Sequence, residues 1–183
     1  MEICVIDDGA AQTKLRFRQN GRLKTIKFPS LAVDYFQSDT HGIVDSAYYV
    51  ESECYTVVAR EDDPIRTDTN QFQTSRVNRV FIHEALRRAG ITGEVIVGVT
   101  LPLHQYFELG ITGVVNTARI DQKKRNVMGP IQGAKRKLVT ISNCVVFPES
   151  LPAGIDELMM MEKGELKLKP EYVGIDRICC IDV

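Results

Sequence analysis

The chain has 183 residues, 44% hydrophobic and 26% charged, with 13 Gly and 7 Pro, which excludes disordered and collagen-like chains and suits one globular domain. A chain of this size buries roughly 70% of the surface its unfolded form exposes, so it needs neither disulfides nor a structural metal. Its 23 Lys+Arg and 24 Asp+Glu leave a net charge of -1, which excludes a global pull towards nucleic acid or anionic lipid.

In chain order, residues 3–6 are an apolar run that breaks at Asp7-Asp8-Gly9, the pattern of a buried strand ending in a polar turn. Residues 14–18 and 23–28 alternate polar and apolar around Asn20-Gly21, which predicts a hairpin beside that strand. A shorter strand pair is expected at 48–50 and 55–59, and residues 60–75 read as a loop. A helix is predicted from Ser75, with Val77, Phe81, Ala85 and Ala89 four apart, Val80, Ile82 and Leu86 widening the stripe, and Gly90 as its stop. Residues 94–99 are β-branched and apolar, as in a strand covered on both faces, and Leu101-Pro102 ends it. This order of helix and buried strand is α/β.

Further on, residues 104–109 read as helical. The basic stretch containing Lys123, Lys124, Arg125, Lys135, Arg136 and Lys137 reads as a solvated face, with a partner-subunit contact as the alternative. Residues 138–141 and 144–147 read as an apolar strand pair stopped by Pro148, residues 155–161 as a short helix with methionine core filler, and residues 164–170 as a polar turn. Residues 178–181 form a last apolar strand running into Asp182.

The five cysteines contain no CxxC pair and mostly sit in apolar strands, which indicates a reducing compartment. Three scattered histidines lack zinc-site spacing. With no uncharged apolar run of about 18 residues, no membrane association is expected and the expected location is cytoplasmic.

The two ends of the chain echo one another, Ile3-Cys4-Val5-Ile6-Asp7 against Ile178-Cys179-Cys180-Ile181-Asp182, each an apolar strand with a carboxylate at its C-terminal edge. Ligands of open α/β sheets sit at that edge, and such an echo suggests a duplicated architecture around one cleft. Two acids there could flank a hydrated Mg2+ beside a phosphate, since Mg2+ keeps several of its waters. Small residues at Gly9, Ala10 and Ala11 would let backbone N–H groups approach an anion, with Lys14 on the next strand. Glu149, just past Pro148, is placed as a general base or water-orienting carboxylate, or as a helix-start acid.

The DDGxxxxK start at Asp7, TLPL at 100–103, HEAL at 83–86, FPESLPAG at 147–154 and the closing IDV resemble, in collinear order over essentially the whole chain, the plasmid-segregation actins of the ParM/StbA family. FPESLPAG is the most specific piece. The resemblance implies a duplicated ribonuclease-H-like fold with ATP between two lobes, here an actin-like lobe with a mixed sheet flanked by helices over residues 1–172. Residues 173–183 would be a linker and the first strand of a second lobe, the rest of which the sequence lacks. It implies that Asp7 and Gly9 belong to the first phosphate loop, that Lys14 contacts phosphate, that Glu149 positions the attacking water, and that Asp182 opens a second phosphate loop. Asp7 and Asp182 would face Mg2+ largely through water. Ala10 and Ala11 depart from the family's usual small polar residues, leaving backbone N–H groups alone to meet the phosphate.

The resemblance further implies self-assembly into ATP-dependent filaments and a DNA-bound adaptor as partner, without direct contact to nucleic acid. The alternatives are a non-enzymatic filament-binding or capping fragment of the same fold, and a sugar or acetate kinase relative, which TLPL and FPESLPAG disfavour.

Overall fold

The computed structural model describes residues 2–36, 38–39, 42–108, 113–149, 159–163, 165–170 and 173. The chain opens with β1 (Glu2–Asp8), β2 (Gln12–Gln19) and β3 (Arg22–Pro29), followed by the short strands β4 (Ala32–Val33), β5 (Ser38–Asp39) and β6 (Gly42–Ile43) and by β7 (Ala47–Val50) and β8 (Glu53–Val57). A loop with a single 3-10 turn at Phe72–Thr74 leads into α1 (Arg76–Arg88) and β9 (Glu94–Leu101). Then come α2 (Leu103–Tyr106), α3 (Thr117–Val127), β10 (Gln132–Gly133), β11 (Thr140–Pro148) and the hairpin of β12 (Met159–Glu162) with β13 (Glu165–Leu168).

The main sheet runs β11-β9-β1-β2-β3, with β1, β9 and β11 mutually parallel and β1-β2-β3 antiparallel. It is the mixed sheet expected of an actin-like lobe. Alternation sets its faces: Cys4, Ile6, Leu15, Phe17, Val95, Val97, Val99, Cys144 and Val146 are buried in the core with α1, while Arg16 and Arg18 point to the other side. The Asn20-Gly21 turn has φ of 52° and 75°, as a two-residue hairpin requires.

Ser75 caps α1, its side chain accepting from the Asn78 N–H at 3.2 Å, and the predicted stripe from Val77 to Ala89 is buried. Gly90, at φ 69°, follows the helix end as its stop. Burial pushes the Cys4 thiol up to about 11 and the Cys144 thiol up to about 12, so both are inert core groups.

A second sheet, β10-β7-β8-β4, packs on α1. One buried carboxylate joins them. Glu84 accepts from the Tyr48 hydroxyl of β7 at 2.6 Å, from Arg87 at 2.7 Å through both Nε and a terminal nitrogen, and from Arg88 Nε at 2.6 Å. Burial alone would push its carboxyl up, but these donors outweigh it and hold the group below the usual carboxylate range. The HEAL segment is therefore a packing hub between the two sheets.

Several expectations need correction. The basic stretch is not a uniformly solvated face: its first half is α3, in which Lys123 is fully buried, while Arg136 is surface-paired with Asp45. The helix expected at 104–109 is a single turn, and Phe107 leaves it to bridge Val115. Residues 140–148 are one strand bulged between Ile141 and Asn143, because both halves continue the same parallel pairing with β9. Residues 159–162 and 165–168 pair as strands where a helix and a turn were expected. The expected helix residues 155–158, the strand at 178–181, Asp182 and residues 150–154 of FPESLPAG lie outside the described residues.

Lys123 supports the end of β1. Its ammonium donates to Asp8 Oδ2, to Gln73 Oε1 at 2.6 Å and to Asn78 Oδ1 at 3.0 Å, and both charged side chains are fully buried. Asp8 Oδ2 also accepts from Asn78 Nδ2 at 2.7 Å, and Oδ1 from the Thr100 N–H at 3.2 Å. Burial presses the Lys123 ammonium below the usual lysine range, and the Asp8 carboxylate pulls it back up. Every donor position of the ammonium has an acceptor, which is what permits such a pair in the core.

Two measurements check this packing. Lys123→Met leaves the Asp8 carboxylate buried and unpaired and should cost about 3–5 kcal/mol in chemical unfolding, whereas Asp8→Asn/Lys123→Met should recover part of that loss. Equal losses in the single and double variants would show that the charges are not coupled. The second concerns His83, which burial and then nearby Arg79 push down to about 4. The unfolded imidazole takes up its proton near pH 6.5, so the unfolded state holds more protons between these values and stability falls as pH drops from about 6.5 to about 4, by up to roughly 3 kcal/mol. Urea melts across that window should show this slope in the parent and a flatter one in His83→Leu.

Candidate functional site

The loop that follows β1 is tied down through its carbonyl groups. Asp8 O accepts from Gln73 Nε2 at 3.3 Å, Gly9 O from Ser30 Oγ at 2.7 Å, Ala10 O from Thr67 Oγ1 at 2.8 Å, and Ala11 O from the Ser30 N–H at 3.0 Å. The Ser30 hydroxyl is itself 2.9 Å from Thr13 Oγ1. No acceptor among the described residues takes the N–H groups of Gly9, Ala10 and Ala11. A Cβ at Gly9 would sit 3.0 Å from the Gln12 carbonyl, so the tight path of the loop depends on glycine there. Carbonyls held by protein donors and amides without acceptors are the layout of a backbone anion cradle.

The cradle opens into a cleft of about 480 Å3 at the C-terminal ends of the parallel strands, the edge where α/β sheets bind ligands. The pleat of β1 divides its two terminal acids between different jobs. Asp8 points into the core to Lys123, while Asp7 stays part-exposed on the cleft and pairs with Lys14 at 3.3 Å. The cross-strand register that sets Asp7 opposite Lys14 brings this pair together. Glu149 reaches the same cleft from the end of β11, its N–H donating to the Leu101 carbonyl at 2.8 Å. Asp7, Gly9, Ala10, Ala11, Lys14 and Glu149 thus all line one cleft, and Asp182 lies outside the described residues.

The side chains that build the cradle were not among the sequence candidates. Ser30, Thr67 and Gln73 carry no motif; only the fold brings them to the loop. For Lys123 a signal existed, because Ile120, Lys123 and Val127 recur at helical spacing and place the lysine on the inward face of α3. Arg119 supports the opposite wall, donating to Gln105 Oε1 at 2.6 Å and to the Asn70 carbonyl at 2.6 Å. Among the described residues no group of three or more His, Cys, Asp or Glu could hold a metal ion. No described helix is long and apolar enough to cross a membrane.

Comparison with known proteins agrees with this fold. Similar solved structures include an archaeal actin homologue, Ta0583 (16% identity, TM-score 0.60, 85% of this chain and 47% of that one), and Bacillus thuringiensis ParM in its apo form (15%, TM-score 0.58, 92% and 50%). AlfA from a B. subtilis plasmid, solved as a filament, is also similar (15%, TM-score 0.58, 88% and 60%). The chain therefore spans about half the length of these structures, and at these identities they show the actin-like fold alone. No curated protein matches the chain by sequence. The family described as "Plasmid segregation protein ParM, N-terminal" matches residues 1–160, and the chain accordingly belongs to the ParM/StbA plasmid-segregation family.

Proposed function

We propose that this chain is the phosphate-binding lobe of an actin-like ATPase that assembles into filaments to segregate plasmid DNA in the cytoplasm. The observation that carries the reading is the loop at residues 8–11, whose four carbonyls are all taken by protein donors while the amides of Gly9, Ala10 and Ala11 meet no acceptor among the described residues. A nucleotide triphosphate is the ligand that such a cradle and a neighbouring lysine fit. Solved relatives include Ta0583 with ADP and an AlfA filament bound to AMPPNP.

In this reading the three amides hold phosphate oxygens, and Lys14 swings between Asp7 and the phosphate, since their surface pair is weak enough to exchange partners. Asp7 and Asp182 are the acids that would hold a phosphate-bound Mg2+, largely through its waters. The ion would neutralise developing charge on the transferred phosphoryl group when bound. Glu149, fixed through its backbone on β9, orients the attacking water. Because phosphoryl transfer depends on positioning from both sides, a lobe holding one cradle binds nucleotide weakly and turns it over little. The alternative is a filament-binding or capping module of the same fold without turnover. In either case DNA is reached through a bound adaptor protein, in keeping with the net charge of -1.

Two outcomes test this. Calorimetry of the 183-residue chain with ATP and magnesium should show affinity no tighter than the millimolar range, and micromolar affinity would overturn the one-sided cradle. In a two-lobed protein carrying this lobe, Glu149→Ala should slow hydrolysis about a hundredfold while filament assembly persists. Lost assembly with unchanged hydrolysis would contradict the role given to Glu149.

A further inference from the structure

A second cavity, of about 490 Å3, lies at the other end of the parallel strands from the cleft: β11 starts beside it at Thr140 and Ile141 and ends at the cleft, where Glu149 follows. The chain leaves α3 at Val127, runs along the cavity through β10 and enters β11, so that Ile131, Leu138 and Ile141 give it an apolar wall packed against the core. The turn there is tight. A Cβ at Gly133 would stand 2.7 Å from the Arg136 carbonyl and 2.9 Å from the Leu138 side chain.

The polar part of the wall has one sign of charge. His83 of α1 lines the cavity at 4% exposure, and its Nδ1 is the one buried side-chain nitrogen or oxygen among the described residues that has no hydrogen-bond partner. Buried polar atoms are nearly always satisfied, so an orphan in a cavity wall marks a place for a ligand atom. Burial and Arg79 push the His83 pKa down to about 4, and the neutral imidazole left at pH 7 has one N–H to donate. Arg79, one turn earlier on α1, lies behind Gly129 of the wall, where a Cβ would come 2.6 Å from the guanidinium carbon. Its donors go to the Asn126 carbonyl at 2.6 Å, the Pro130 carbonyl at 2.8 Å and the Asn126 side-chain oxygen at 3.1 Å, so dipoles rather than a carboxylate meet its buried charge. Lys137 and Arg136 add exposed cations, the latter paired with Asp45, and among the described residues no Asp or Glu lines the cavity. An anion here is attracted by the nearby cations and repelled by no lining acid.

We propose that this cavity binds a small apolar carboxylate, its hydrocarbon body against Ile131, Leu138 and Ile141 and its oxygens held by His83 Nδ1 and Lys137. The volume, the apolar wall and the few convergent polar groups are those of a small-molecule site. The site stands apart from the cleft and does not depend on the nucleotide reading.

The test is calorimetric titration of the 183-residue chain at neutral pH and low salt with phenylbutyrate, phenylbutyramide and phenylbutylamine. The carboxylate should bind at least tenfold more tightly than the amide or the amine. Lys137→Glu, at an exposed position, should weaken phenylbutyrate at least tenfold with the thermal melt unchanged. His83→Leu should weaken it at least fivefold, and His83→Asn, which keeps a side-chain donor, should recover most of that loss. Equal affinity for acid and amide, no binding of any of the three, or unchanged affinity in Lys137→Glu would each overturn the proposal. Tighter binding of a tripeptide ending in phenylalanine would assign the cavity to a chain terminus and overturn it too. ATP with magnesium should leave the phenylbutyrate affinity unchanged, whereas competition would put the carboxylate in the cleft and contradict the site.

Discussion

Lys123 and Asp8 meet where β1 ends, both out of reach of water, and a lone charge there would be too costly for the core to tolerate. The pair survives because Gln73, Asn78 and Thr100 supply the remaining hydrogen bonds, drawing the 3-10 turn, α1, β9 and α3 to one point. That point is the last residue of β1, immediately before the loop that lines the cleft. Gln73 belongs to both systems, accepting from Lys123 and donating to the Asp8 carbonyl, so the buried pair and the cradle share a member. The position of the candidate site thus depends on an ion pair that never touches the cleft.

From this anchor the sheet divides its surfaces by the pleat. Inward residues of β1 and β2 close the core against α1, and the same alternation one residue earlier than Asp8 leaves Asp7 facing Lys14 on the cleft. A one-residue slip in β1 would bury Asp7 and expose Asp8, removing both the anchor and the cleft acid together. The Glu84 hub does for the second sheet what Lys123 does for the first, holding β7 against α1 through Tyr48. Buried, satisfied carboxylates therefore fix both sheets on the same helix.

Much of this was legible in the residues. The alternation of 14–18 and 23–28 about Asn20-Gly21, the stripe of α1 and the apolar run of β9 rest on local periodicity, and each forms where that periodicity places it. That Asp7 to Lys14 lie at the cleft edge was legible because the apolar run of β1 breaks at Asp7-Asp8-Gly9, and the place of Glu149 because it follows the stop of another strand. Two of the failures share a cause: contacts between distant segments outweighed local pattern. Polar Thr117 to Val127 hid a helix whose inward lysine is paired across 115 positions of sequence. Ser142 and Asn143 looked like a break between two strands, but the β9 pairing carries the strand through as a bulge. Ser30, Thr67 and Gln73 could not be chosen from sequence, since nothing local distinguishes a serine, threonine or glutamine that will bond a carbonyl of the β1–β2 loop.

The central claim is that the Lys123–Asp8 anchor presents the amides of Gly9, Ala10 and Ala11 to a phosphate. The most direct measurement is a proton–nitrogen NMR titration of the 15N-labelled chain with ATP and magnesium up to several millimolar, in the parent protein and in Ser30→Ala, which frees the Gly9 carbonyl. The account predicts the largest amide shifts at Gly9, Ala10 and Ala11 in the parent and smaller ones at the same concentration in Ser30→Ala. Shifts scattered over the surface with those three amides unmoved would contradict it.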